Sequence, residues 1–235
     1  MTECKNIEIL YFTDILCVWA YLEQIRVDEL KRQFDSKIEF KYHFIPLFGS
    51  VATKMKNEWD EKGGVTAYGK FVHDLSLKYE HIKIHPDVWK INTPKTSINC
   101  HVFLKAIQLL ESAEQMDKGV CQADDGKGVF ETAVWRLRCA FFRDAEDISD
   151  NSVLMKIANE LNLPVDKIQL KIDNGEAHAA LNDDAALKAK HEVKGSPTLV
   201  FNEGRQMIYG NVGYKVVAAN IEELLNNTEN NASWC

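Results

Sequence analysis

The chain has 235 residues, 46% hydrophobic and 27% charged, the composition of an ordinary soluble globular protein with apolar material for one large domain or two small ones. With 28 Lys and Arg against 35 Asp and Glu the net charge is −7, which argues against a nucleic-acid partner tracked along its phosphates by a basic face. The longest unbroken apolar run, Ile15 to Leu22, is far too short to cross a bilayer, so no membrane partner is expected.

The chain starts Met1-Thr2-Glu3-Cys4-Lys5-Asn6, which is polar and lacks the basic-then-apolar pattern of a secretory leader. A cytoplasmic location is the expectation, and the six cysteines (Cys4, Cys17, Cys100, Cys121, Cys139, Cys235) are then reduced thiols. No two of them stand at C-x-x-C spacing, so neither a zinc knuckle nor a dithiol redox pair is expected.

Ile7 to Phe12 is rich in β-branched and aromatic residues and reads as a buried strand, closed by Thr13-Asp14. From Cys17 to about Phe34 the spacing predicts a helix, with Leu22, Ile25, Leu30 and Phe34 apolar and Glu23, Arg26, Glu29, Lys31 and Arg32 polar between them. Ile38 to Phe44 alternates with period two, a half-buried strand, so the opening is a βαβ unit with parallel strands. Residues 65–80, 96–116, 128–144 and 152–162 then carry apolar positions at helical spacing, with a polar loop from Lys118 to Lys127 and a helix end at Asn162-Leu163-Pro164. No β-rich stretch occurs between about 50 and 195. Thr198 to Phe201 and Gln206 to Tyr209 flank Asn202-Glu203-Gly204-Arg205 as a hairpin, and a last amphipathic helix runs from about Tyr214 to Leu225.

This order predicts an α/β protein: a thioredoxin fold with a mixed four-stranded sheet, split after its second strand by a large all-helical insertion. The expected division is 1–49 and 176–228 for the thioredoxin-like domain, 50–175 for the insertion and 229–235 for a flexible tail. The sequons beginning at Asn226 and Asn231 read as chance in an Asn-rich tail.

Two segments carry chemistry. Asp14-Ile15-Leu16-Cys17-Val18-Trp19-Ala20-Tyr21 places a thiol where a strand turns into a helix. The orphan N–H groups and the positive end of the macrodipole there favour thiolate, so Cys17 is expected to be a nucleophile more acidic than a free cysteine. The competing reading is a cysteine that fills space in an apolar run. The second segment is Val193-Lys194-Gly195-Ser196-Pro197-Thr198-Leu199-Val200-Phe201, where Pro197 enters a strand, either as an ordinary trans residue or as a cis proline that bares the Ser196 main chain to a ligand. His81 and His85 have the four-residue ligand spacing, but the residues around them do not continue a helix, and no metal site is expected. Asp124 to Gly128 reads as a plain loop.

Together these segments resemble the DsbA-like branch of the thioredoxin superfamily, which includes FrnE-type oxidoreductases, kappa-class glutathione transferases and 2-hydroxychromene-2-carboxylate isomerases. The C-P-W-C-then-Tyr helix start of that branch, with an Asp upstream, is matched by Asp14, Cys17, Trp19 and Tyr21. Its V-x-G-V-P-T-F-V loop is matched by Val193, Gly195, Pro197, Thr198 and Val200, and its A-F-F…D-I-S-D stretch by Ala140 to Asp144 and Asp147 to Asp150. The departures are Val18 for the proline and Ala20 for the second, resolving cysteine. Without a local second thiol, an external one must release any mixed disulfide, so independent dithiol oxidase activity is not expected.

The resemblance therefore implies a thiol–disulfide oxidoreductase with a degenerate single-cysteine C-x-x-A site and monothiol, glutathione-linked chemistry. Cys17 would be catalytic, with Trp19, Ser196, Pro197 and Thr198 binding substrate or glutathione. No tightly bound cofactor is expected; glutathione is the cosubstrate, the partners are glutathione or a thiol- or disulfide-bearing substrate, and a homodimer is one assembly open to the chain. The alternatives are a glutathione-dependent transferase or isomerase and a redox-inactive thioredoxin-like binding module. Cys235 is a distant candidate for a resolving thiol.

Overall fold

A computed structural model describes residues 6–116 and 127–226. Strand β1 (Ile7–Thr13), helix α1 (Val18–Phe34) and strand β2 (Ile38–Phe44) form the opening unit. β1 and β2 run parallel in register from Ile7 opposite Ile38 to Thr13 opposite Phe44. β2 alternates as its sequence does, with Ile38, Phe40, Tyr42 and Phe44 buried and Glu39 exposed.

After β2 come α2 (Val51–Trp59), α3 (Gly64–Ser76), α4 (Ile98–Ser112), α5 (Val129–Phe142), α6 (Asn151–Glu160), α7 (Val165–Asp173) and α8 (Glu176–Lys190). Two of these starts are set by side-chain caps. Ser50 Oγ accepts from Thr53 N (3.3 Å), and Asp150 Oδ1 from Ser152 N (2.8 Å). The chain then returns to the sheet as β3 (Thr198–Phe201) and β4 (Gln206–Tyr209) and ends in α9 (Tyr214–Asn226). Sheet order is β2-β1-β3-β4, with β3 antiparallel to β1 and to β4. This is the thioredoxin arrangement, interrupted between β2 and β3 by helices. In the β3–β4 turn Gly204 adopts φ +96, and a Cβ there would meet His191 Nδ1 at 2.6 Å, so the turn needs glycine on both counts.

One side of α1 departs from its sequence pattern. Ile25 is exposed, whereas Glu23 and Gln24 are buried. The reason is Arg138 on α5, itself fully buried. It donates from Nη1 to Gln24 Oε1 (2.6 Å) and from Nη2 to Thr13 Oγ1 (2.9 Å). A buried guanidinium requires polar partners, and α1 turns that face inward to supply them. A second buried ionic group ties the insertion to the sheet. Asp184 on α8 accepts from Lys105 Nζ (3.0 Å), from Phe44 N (2.8 Å) and from His43 Nδ1 (2.8 Å).

Candidate active site

The turn from β1 into α1 is organised by Asp14, which is fully buried. Cys17 N donates to the Asp14 carbonyl (3.1 Å), and Leu16 N to Oδ1 (2.9 Å), so the side chain folds over its own turn. Oδ2 accepts from Phe48 N and from Ser97 Oγ, both at 2.9 Å. Ile15 N donates to His101 Nε2 (3.2 Å), which makes Nε2 the bare nitrogen and leaves the buried Nδ1 without a partner. One carboxylate thus joins the turn to the loop after β2 and to the start of α4.

Cys17 is the residue immediately before α1, with φ −79 and ψ 113, and its carbonyl accepts the helical bond from Tyr21 N (3.1 Å). The Ser196–Pro197 peptide bond is cis. Cys17 Sγ donates to the Ser196 carbonyl (3.2 Å), and Ser196 Oγ accepts from Asp14 N (3.0 Å). The helix start and the prolyl loop therefore meet at the sulfur. Gly195 lies under the Tyr209 ring, where a Cβ would come within 2.7 Å of ring atoms, so only glycine fits there.

The expectation of an acidic thiol is corrected by this geometry. Cys17 is 6% exposed, and its pKa is raised above the ordinary thiol value. Burial is the main cause and the Asp14 carboxylate adds to it, against the Ser196 side chain and the backbone N–H groups of Ala20 and Trp19. The helix start does favour the thiolate, as its position predicts, but desolvation outweighs it. Cys17 rests as a neutral thiol.

Of the other residues expected at the site, Ser196 and Pro197 are buried beside the sulfur, and Trp19 is partly buried and packed on the core. Thr198 is fully buried, and its hydroxyl donates to the Gly195 carbonyl (2.7 Å), so it braces the loop from behind. Phe48 from the loop after β2, and Ser97 and His101 from the start of α4, hold the turn, and no local sequence signal marks them as its partners. His81 Nε2 lies 3.1 Å from the Leu22 carbonyl, and His85 Nδ1 accepts from Asp87 N (3.1 Å), so both turn to backbone. Cys100 and Cys139 are buried free thiols; Cys4, Cys121 and Cys235, the segment 118–126, Asn231 and the tail lie outside the described residues. No helix among the described residues is long and apolar enough to cross a membrane.

The sequence profile of the DSBA-like thioredoxin domain matches residues 8–222. No curated protein sequence matches the chain. Among solved structures, a probable DsbA oxidoreductase from Streptomyces coelicolor is similar with a TM-score of 0.67 at 13% identity, over 98% of this chain and 94% of that one. A 2-hydroxychromene-2-carboxylate isomerase gives 0.63 at 13% identity, over 96% and 100%. The cytosolic disulfide reductase DsbM from Pseudomonas aeruginosa gives 0.60 at 14% identity, over 92% and 98%. At these identities the likeness is one of fold.

Proposed function

The chain belongs to the DSBA-like thioredoxin domain family, and from that premise we propose that it is a glutathione-linked thiol–disulfide oxidoreductase working through one cysteine, Cys17. The observation that carries this reading is a single sulfur 3.2 Å from the carbonyl of a cis-prolyl loop, with Ala20 where a resolving thiol would stand. The resting thiol must first lose its proton, and the Trp19 and Ala20 N–H groups then stabilise the charge. The thiolate attacks the glutathionyl sulfur of a mixed disulfide; that S–S bond breaks, and the substrate leaves as a thiolate and takes up a proton. A second glutathione thiolate attacks the sulfur now bonded to Cys17, forming glutathione disulfide and restoring the enzyme. The Ser196 main chain would hold the peptide-like ligand in extended form, with Pro197 and Trp19 beside it. A reducing cytoplasm supplies the cosubstrate. The DsbM structure has also been solved with GSH, which supports this choice of thiol.

The test is turnover of a glutathionylated peptide with excess glutathione. Wild type is expected to release the peptide thiol well above the uncatalysed rate, with Cys17→Ser at background. Equal rates for the two proteins would overturn the proposal.

A second reading is favoured by one observation, the neutral S–H of Cys17 donating a hydrogen bond. Such a group could donate to the thiolate of bound glutathione, leaving glutathione itself as the nucleophile of a transferase or isomerase. Conjugation of an electrophile without disulfide reduction, retained in Cys17→Ser, would select it. No reaction and no glutathione binding would leave the redox-inactive binding module.

A further inference from the structure

A cavity of about 660 Å³ opens between α2, the start of α3 and residues 93–95. Pockets of roughly 300–1,000 Å³ are the size that holds a small molecule. Its apolar walls are Val51, Met55, Val65 and Pro94, and no aromatic side chain among the described residues lines it. Val51, Met55 and Pro94 are buried. Backbone contacts hold the frame. Val51 N donates to the Lys95 carbonyl (3.1 Å), Thr96 Oγ1 to the Gly49 carbonyl (2.8 Å) and Ser97 N to the Phe48 carbonyl (3.0 Å). The walls are therefore set before a ligand enters, which lowers the cost of binding one.

Lys56 and Lys95 line the same cavity. The Lys95 backbone is fixed at both ends, its N–H donating to Ser149 Oγ (3.1 Å) and its carbonyl accepting from Val51, so only the side chain is left to move. Neither ammonium group has a carboxylate within ion-pairing distance among the described residues, whereas Lys54 on the same helix as Lys56 pairs with Glu58 (2.7 Å). Asp60 is the one carboxylate among the lining residues, so two ammonium groups face the cavity against one negative charge. Gly64 at the start of α3 lines it too, and the preceding Gly63 has no side chain to cap that helix. The cavity is thus apolar in its walls and short of one negative charge.

We propose that this cavity is a binding site for a small alkyl carboxylate, with its carboxylate between Lys56 and Lys95 and its chain against Val51, Met55, Val65 and Pro94. A single anionic head matches the charge balance of the lining, and lysine stems are long and flexible enough to close on it. Aliphatic walls suit an alkyl chain and offer no ring for an aryl group to stack on. Glutathione suits the cavity poorly, because it carries two carboxylates and its peptide groups would lie against aliphatic walls. The inference goes beyond the glutathione reading of Cys17 and does not rest on it.

Calorimetric titration of the full-length protein with sodium octanoate tests this, with 1-octanol as the uncharged molecule of the same chain length. One octanoate per chain is expected, at about millimolar affinity or tighter. Lys56→Met and Lys95→Met should each weaken it roughly fivefold, and the double variant more than about tenfold. Octanol should bind more weakly and ignore both substitutions. Ala52→Phe, at an exposed lining position on α2, should fill the space and abolish binding. All three positions are exposed, so melting temperatures close to wild type are expected and serve as the check on folding. Cys17→Ser should bind octanoate as wild type does, so failure of the monothiol reading would leave this inference standing. Absence of octanoate binding, octanol binding as tight as octanoate, or an affinity unmoved by the lysine variants would each overturn it. Full binding in Ala52→Phe would place the ligand elsewhere, and displacement of octanoate by glutathione would make the cavity part of a glutathione site; either result would overturn it as well.

Discussion

Replacing Asp14 by Ala removes the acceptor of three buried donors: Leu16 N, Phe48 N and Ser97 Oγ, each at 2.9 Å. Hydrogen bonds to a charged acceptor contribute about 1.5–3 kcal/mol each, and a buried donor left unpaired costs about 1–3 kcal/mol. Against this, the variant no longer buries a carboxylate, so the losses do not add in full. A net destabilisation of about 4 kcal/mol is expected. Asp14→Asn keeps an acceptor for Leu16 N, and the Ser97 hydroxyl can rotate to accept from the new amide. Only Phe48 N then loses its partner, for a cost of about 2 kcal/mol. Denaturant unfolding reads both values from the midpoint if the slope is unchanged. In a chain of this size the Ala variant should melt roughly 10 °C lower. Because burial and then the Asp14 carboxylate hold the Cys17 thiol up, Asp14→Asn should also move the pH profile of Cys17 alkylation to lower pH. A loss below about 1 kcal/mol in Asp14→Ala, or an Asn variant as unstable as the Ala variant, would show that Asp14 does not organise the turn.

Asp184→Ala strands the Lys105 ammonium, the His43 ring and Phe44 N at the junction of α4, α8 and β2. It should cost about 3–5 kcal/mol in unfolding experiments, partly recovered by adding Lys105→Met; no recovery in that double variant would contradict the stranded-charge account. Burial raises the Glu23 pKa from 4.5 to about 7. Between those values the folded state keeps a proton that the unfolded state has lost, so stability should fall as pH rises from 4.5 to 7. Glu23→Gln should therefore gain on wild type by up to about 3 kcal/mol across that window, and a difference independent of pH would count against it. Ala20→Cys places a second thiol where the residue-20 N–H already lies beside Cys17 Sγ. That variant should form an internal disulfide and reduce insulin where wild type does not, and failure of the disulfide to form would refute the placement.

The strands, the parallel opening unit and the final hairpin were readable from side-chain periodicity because each pattern is local. Helices 65–80, 96–116, 128–144 and 152–162 find counterparts in α3 to α6, whereas α2 and α7 are nine-residue amphipathic segments too short to stand out. The inward turn of Glu23 and Gln24 was hidden because its cause, Arg138, is 114 residues from Gln24. The same holds at the site. Cys17 and the Ser196-Pro197 loop each carry a sequence motif, but Phe48 and Ser97 reach Asp14 across 34 and 83 residues. The raised pKa of Cys17 is not legible in the sequence for a related reason. A helix start is visible in sequence, but the loops that close over the sulfur and desolvate it come from distant segments.

The central claim is that Cys17 forms a mixed disulfide with glutathione and that no second thiol resolves it. Intact-mass analysis of native protein after incubation with glutathione disulfide, followed by peptide mapping, tests this directly. One glutathionyl group on Cys17, stable until reduced glutathione is added and missing from Cys17→Ser, is the predicted result. An unmodified Cys17, or an adduct that converts to an internal disulfide on its own, would contradict it.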